Sequence, residues 1–459
     1  MVLALVQVIL IAITAIYEYK KGSIGVFLWA MLLLNFAVPH LLTIVTGMEI
    51  YSSATYEKAS LFAILTTGLY LLTKIIVDRS KHGDCDCFTG LRANLQIVET
   101  ISAEGMQYER RLARNALFLL LLFFTVFMVD TINTQGSLFN TSWGQYYKNA
   151  SSLYDVEFSA SFFSIWMKYV CFAVGGLSYS CFKRKRIGIA VAVTALICFV
   201  LLLTRNRILV LPLIVCVIIF FAVKYRRLSI KLAILMLIAA CVAIYVVYAL
   251  RTFRHAGNLN AFLSMYSSFS DFHAAVMDDI LYSDGELWLR NIFYYFIEKD
   301  NAFPSFGEGH TYLRLLMILV PTRLAGGLKP TDFAITMASA WTGNYNNTTH
   351  SVHPTFFGDC FANFHWFGAF LGIFWAVFIR FLNGFLNKRN KMVRECLICL
   401  YGVMLIIIGR GSVYNACVIG LYGTIIVFAI EVISRITVSR ELKLVIHRRI
   451  IENKTDTDT

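Results

Sequence analysis

Leu232–Leu250 reads LAILMLIAACVAIYVVYAL, with no charged residue, and as a helix it is long enough to cross about 30 Å of hydrocarbon. The next stretch of chain is its opposite. From Arg251 to His365, roughly 115 residues of largely polar text separate that run from the next apolar one, Trp366–Leu386. A helix connection needs far fewer residues, so a loop of this size is either a functional surface or a disordered insertion. Its composition excludes disorder, because aromatics are dense (Tyr282, Trp288, Phe293, Tyr294, Phe296, Trp341) and the charges stand singly in apolar text.

Similar apolar runs recur on both sides. Val2–Tyr17, Ile24–Val45, Ala59–Val77, Ala113–Val129, Ala160–Phe182, Ile187–Leu203 and Ile208–Val223 precede it, and Met392–Ile408 and Tyr414–Ile433 close the series. With 58% hydrophobic and 15% charged residues, the chain is too apolar for a soluble domain. The expected fold is all-α, a polytopic membrane bundle of about eleven spans. Residues 1–250 would hold about eight of them, 251–365 the large loop, 366–436 the remaining transmembrane helices, and 437–459 a tail.

A net charge of +13 invites a nucleic-acid reading, which the distribution of the basic residues rejects. They fall in alternate connections: Lys20–Lys21, Arg79 to Arg111, Lys183–Arg186, Lys224–Arg227, Lys388–Arg394 and the tail through Arg449. This alternation is the positive-inside pattern, and it predicts the N-terminus and the large loop outside and the C-terminus in the cytoplasm. The first run has no basic residue before it and two after it, so it is expected to remain as a span. The eleven cysteines offer neither a disulfide framework nor a zinc quartet: Cys360 is the single one in the outer loop, and Cys396-x-x-Cys399 has no second pair.

Within the loop, Leu259–Tyr282 and Leu287–Ile297 have helical apolar spacing, and the loop is expected to form a small helical cap. Thr311–Val320 is too short to span and reads as a re-entrant or interfacial helix ended by Pro321. Gly326-Gly327 and Trp341–Ser351 read as turns. Elsewhere, Trp143, Tyr146, Tyr147 and Tyr154 suit an interfacial belt or sugar stacking, and Leu91 to Ile101 an amphipathic helix lying on the membrane.

Three groups of residues can carry chemistry. The first is arginines at the outer ends of spans, where orientation does not call for them: Arg205 and Arg207 in one turn, Arg251 and Arg254 after the next span, and Arg410. A guanidinium is always charged and forks onto phosphate oxygens, which suits a lipid-linked pyrophosphate at the membrane surface; the competing reading is simple snorkelling to headgroups. The second is the stretch His350-Ser351-Val352-His353-Pro354-Thr355-Phe356-Phe357-Gly358-Asp359, running through Asn363-Phe364 to Gly368. Asp359, at the lip of a span, is a candidate general base, with His353 or His350 able to take a proton or bind a sugar; a helix cap and ordinary turn histidines are the alternatives. The third is Pro321-Thr322-Arg323-Leu324 followed by Lys329-Pro330-Thr331-Asp332, a stiff basic loop that offers Arg323 and Lys329 as further phosphate contacts. Glu298, Asp300 and Glu308 read as solvated carboxylates. No metal is expected, because the paired histidines lack a third ligand, and no cofactor, because there is no Gly-rich phosphate loop.

In this order the pieces resemble the O-antigen polymerase family, the oligosaccharide repeat-unit polymerases of bacterial surface polysaccharide assembly. The resemblance covers most of the chain as architecture and rests on three motifs: the arginine turn Thr204–Arg207, the Pro-x-Arg then Lys-Pro segment at Pro321–Pro330, and the His-Ser-x-x-Pro-Thr stretch from His350 to Gly368. It implies a glycosyltransferase of the bacterial inner membrane. A glycan on undecaprenyl pyrophosphate would pass to the non-reducing end of a new lipid-linked repeat unit at the periplasmic face, releasing undecaprenyl pyrophosphate. Membrane lipids, a chain-length regulator and a flippase are the partners this implies. The alternatives are an O-antigen ligase, which transfers the glycan to lipid A core, and a flippase or transporter for the lipid-linked oligosaccharide. Against transport stands the clustering of polar groups at one end of the bundle, where transporters place them near the midplane between repeats.

Overall fold

The computed structural model describes residues 1–80, 103–135, 169–175, 259–282, 288–304, 306–320, 322–325, 327–346 and 351–455, with isolated helical positions between 193 and 252. Every regular element among the described residues is helical. Among the described residues six helical segments are long and apolar enough to cross a membrane: Val2–Lys21, Gly25–Val45, Ser53–Arg79, Thr355–Asn387, Lys391–Gly409 and Val413–Ile436. Each coincides with an expected run. Ala113–Val129 falls inside a further helix, Ala103–Gln135, while the four runs between Ala160 and Leu250 lie largely outside the described residues, as do residues 81–102 and 136–168 with their expected surface helix and aromatic belt.

The elements, in chain order, are α1 (Val2–Lys21), α2 (Gly25–Leu32), a π-helical turn (Leu33–Ala37), α3 (Val38–Val45), α4 (Ser53–Ser80), α5 (Ala103–Gln135), α6 (Leu259–Met265), α7 (Phe269–Tyr282), α8 (Trp288–Lys299) and α9 (His310–Leu316). A 3-10 turn (Thr322–Ala325), α10 (Phe333–Thr342), α11 (Thr355–Phe364), a second 3-10 turn (His365–Phe370), α12 (Leu371–Asn387), α13 (Lys391–Gly409) and α14 (Val413–Thr455) complete them. Helix α13 is buried along almost its whole length and stands at the centre. Around it α12 packs on α4, approaching so closely at Gly372 that a Cβ there would lie 2.3 Å from the carbonyl oxygen of Thr66. A small residue is what allows two membrane helices to approach that near.

Local chemistry explains where the helices bend and stop. Gly22 closes α1 in the left-handed region, its N–H capping the last carbonyls, with Lys20 and Lys21 at the negative end of the helix dipole. Pro39 has no N–H to offer the carbonyl of Asn35, and the turn ahead of it widens; Arg290 of α8 donates to that oxygen at 3.4 Å. Helix α8 belongs to the loop in sequence but not in packing. Ile292, Phe293, Tyr294 and Phe296 are fully buried, and Tyr294 hydrogen bonds His40 at 2.5 Å while His40 reaches Ser60 at 2.8 Å.

The structure corrects the expected loop in four places. Leu259–Tyr282 is two helices, because Ser268 and Asp271 form a reciprocal cap that starts α7: Asp271 accepts from the Ser268 N–H at 3.1 Å and donates its own N–H to the Ser268 hydroxyl at 3.2 Å. Those hydrogen bonds, from Ser267 as well as Ser268, also hold the Asp271 carboxyl below its usual range. The helix expected to run to Pro321 ends at Leu316, where the chain tightens into successive three-residue turns. Trp341 and Thr342 are helical, since Asp332 caps α10 through the Ala334 N–H and only Gly343, at φ 69°, ends it. Finally, the helical segment containing Trp366–Leu386 begins at Thr355, broken at His365, φ 51°, between α11 and the 3-10 turn, so the motif read as the approach to a span is itself helical.

Candidate functional site

Helix α11 starts under constraint. Thr355 sits at φ 68°, a conformation that a β-branched residue adopts only when its surroundings impose it, and its N–H donates to the carbonyl of Arg410 at 3.2 Å. Gly411, at φ 95°, makes this possible: a Cβ there would lie 2.6 Å from the Thr355 nitrogen. The His353–Thr355 corner and the Arg410–Ser412 turn are thereby fixed against each other. His353 is close enough to Arg410 to feel its charge, and burial first, then that guanidinium, lower its pKa to about 3. The ring is therefore neutral at physiological pH, with Nδ1 buried and unpartnered.

One turn into α11, Asp359 is buried and both of its carboxylate oxygens are engaged. The Thr311 hydroxyl of α9 donates to Oδ2 at 3.3 Å, and Asn363 donates to Oδ1 at 3.2 Å. Asn363 also accepts the Thr311 N–H at 3.0 Å, so Thr311, Asp359 and Asn363 form a closed set joining α9 to α11. Asp359, near the start of the Thr355–Asn387 segment, is covered by α9, and an alcohol already lies against its carboxylate. Tyr312, the next residue of α9, is buried beside Asp359 and Cys360, and that burial raises its phenol well above the ordinary range.

A cationic group lies alongside. Arg314 and Lys329 both face the ring of Tyr414, at 4.5 and 5.9 Å from its centroid. Arg314 also donates to the Pro330 carbonyl, and Lys329 donates to the Val320 carbonyl at 2.7 Å. Lys329 is thus buried and folded onto its own loop. Asn415, next to Tyr414, reaches Ser412 at 3.1 Å and Asp332 at 3.5 Å, and Asp332 interacts electrostatically with Asp359.

Of the residues singled out by sequence, Asp359, His353, Lys329 and Arg410 come together at one end of the bundle. Arg323 lies in the 3-10 turn Thr322–Ala325 that leads to Lys329. His350, Arg205, Arg207, Arg251 and Arg254 lie outside the described residues. Asp300 meets His365 at 2.6 Å and Glu308 accepts a hydrogen bond from Asn301, and both carboxylate residues stay exposed. Thr311, Arg314 and Tyr414 were not singled out; the one usable signal was Arg314, a lone charge in the apolar run from Tyr312 to Val320. Among the described residues no three His, Cys, Asp or Glu side chains converge to hold a metal ion. Comparison of the chain with protein-family models, curated proteins and solved structures finds no match in any of the three.

Proposed function

We propose that this chain is a membrane glycosyltransferase that polymerises undecaprenyl-pyrophosphate-linked oligosaccharide repeat units at the periplasmic face of the bacterial inner membrane. The observation that carries this reading is the pairing, at one end of a bundle of apolar helices, of a buried carboxylate facing a hydroxyl with a group of cations: Asp359 with Thr311, beside Arg314, Lys329 and Arg410. In the proposed step the acceptor hydroxyl bonds to the anomeric carbon, the bond from that carbon to the pyrophosphate oxygen breaks, and the hydroxyl proton passes to Asp359. The leaving pyrophosphate gathers negative charge, and fixed cations aimed at it lower the barrier by a few kcal/mol for each well-placed donor, about 3 in measured cases. Proton removal supplies about 10²–10⁴-fold more. Neutral His353 orients or hydrogen bonds the sugar. Arg205, Arg207, Arg251, Arg254 and Arg323 belong to the same proposal as pyrophosphate contacts, and His350 as a second sugar contact.

The finer architecture is part of this reading: about eleven spans, a loop capping the outer face and a cytoplasmic C-terminus, supported by the alternation of basic connections. Its test is polymer formation by the purified protein in bilayers supplied with lipid-linked repeat units. Ladders of glycan are expected, lost in Asp359→Asn and Arg410→Ala. Transfer to lipid A core alone would make the chain a ligase, and translocation of the lipid without any new glycosidic bond would remove the enzyme reading.

A further inference from the structure

Helix α9 and the turns after it are built inside out. Thr311 is 1% exposed and Lys329 8%, whereas Leu316, Leu324 and Leu328 are 85%, 79% and 76% exposed. At 100° per residue, Thr311, Arg314 and Leu315 share one face of α9, and Leu313 and Leu316 lie on the other. The first face carries the hydrogen bond to Asp359, the contact with Tyr414 and the packing on the core; the second is bare leucine, continued by exposed Leu319. A segment folded in water buries its leucines and leaves its cations outside, so this order states which solvent surrounds it.

The neighbours place the segment beside the membrane-crossing helices. Tyr312 packs against Phe364 and Phe374, 5.3 and 6.3 Å between ring centroids, and Arg314 lies over Tyr414 near the start of α14. These partners belong to two candidate spans, Thr355–Asn387 and Val413–Ile436. On that side of the Thr355–Asn387 segment Phe367, Phe370 and Phe374 are also exposed, so the leucines of residues 313–328 extend an apolar surface that the spans already present.

We propose that Leu313–Val320 and the turn residues Leu324 and Leu328 are embedded in the bilayer, their leucines contacting lipid acyl chains of the leaflet on the loop's side, while the inner face of α9 forms the wall of the candidate site. The occupant of this surface is lipid because the surface is continuous with that of the spans. The inference does not depend on the proposed reaction, since it concerns only what covers the outer face.

The test introduces cysteine at Leu316, Leu324 or Leu328, attaches bimane, and reconstitutes the protein in phosphatidylcholine with or without bromine atoms on the acyl chains. Leu72→Cys, on an exposed face of α4, serves as the lipid-facing reference and Asn344→Cys, in an exposed polar turn, as the water-facing one. Labelled unsubstituted protein gives the background from native cysteines. Bimane at Leu316, Leu324 and Leu328 is expected to lose as large a fraction of its emission to brominated lipid as at Leu72, with no loss at Asn344. Emission at all three positions that brominated lipid leaves unchanged would overturn the proposal, whether water, a second copy of the chain or another protein covers them.

Discussion

The backbone N–H of Thr355 donates to the carbonyl oxygen of Arg410 at 3.2 Å, fastening the start of α11 to the end of α13 main chain to main chain. Gly411 permits it twice over, by its φ of 95° and by the missing Cβ. Gly411→Ala should therefore be severe: the backbone alone costs about 1–3 kcal/mol, and the 2.6 Å contact with main-chain atoms cannot relax by a rotamer change. A drop in thermal midpoint and in membrane-fraction yield is expected. Unchanged stability would mean that the turn tolerates a side chain and that Arg410 is not held by it.

Asp359 has two separable roles, tying α9 to α11 and, in the proposed reaction, taking a proton. Thr311→Val removes the two hydrogen bonds of its hydroxyl, the one donated to Asp359 and the one accepted from Asn363 at 3.1 Å, and keeps the carboxylate; Asp359→Asn removes the base and keeps the shape. If the carboxylate is the base, polymer formation should fall about 100-fold or more in Asp359→Asn, and only a few-fold in Thr311→Val. Equal losses in the two variants, tracking equal losses of stability, would reduce Asp359 to a tie.

The membrane helices were legible in the sequence because twenty apolar residues admit one structure in hydrocarbon. The segments between them were legible in composition and not in geometry. His353, Asp359, Lys329 and Arg410 could be named as polar groups out of place, yet nothing local told that Lys329 turns back to the Val320 carbonyl, or that α9 covers Asp359. The second joins residues 48 apart in the chain, and the first, nine residues apart, depends on how the loop between them turns. The Ser268–Asp271 cap and the Asp332 cap were within reach of sequence rules; denser aromatic and polar signals nearby hid them.

His353 supplies a pH dependence. Burial, then the charge of Arg410, lower its pKa to about 3, against an ordinary value near 6.5. Above about pH 6.5 the ring is neutral in both folded and unfolded chains and adds no slope. Between that pH and about 3 the unfolded chain binds a proton that the folded one refuses, so stability falls as pH falls. His353→Gln, which cannot titrate, should flatten the thermal midpoint against pH across that window. A midpoint profile identical to that of the unsubstituted protein would place the histidine in a more open setting than described.

The opposite end of the bundle bears on the site through α12, which the 3-10 turn His365–Phe370 joins to the helix that carries Asp359. There Lys74 of α4 contacts Asp78 at 2.9 Å and Glu18 of α1 at 3.8 Å, and Arg380 of α12 lies 3.8 Å from Asp78. Lys74, Glu18 and Asp78 are almost wholly buried, and Tyr70 donates to Glu18 at 2.7 Å. Two carboxylates face two cations, and the balance is what makes burial tolerable. Lys74→Met breaks it, leaving one buried carboxylate without a counter-charge, at a cost of about 3–5 kcal/mol. Lys74→Met with Glu18→Gln restores neutrality, since Asp78 keeps Arg380 and the Glu18 position keeps its hydrogen-bonding shape for Tyr70. The double variant should therefore be more stable than Lys74→Met alone, as measured by thermal midpoint in detergent. If it is the less stable of the two, these charges do not act as one balanced network, and α1, α4 and α12 are held together by packing, of the kind seen where Gly372 meets Thr66.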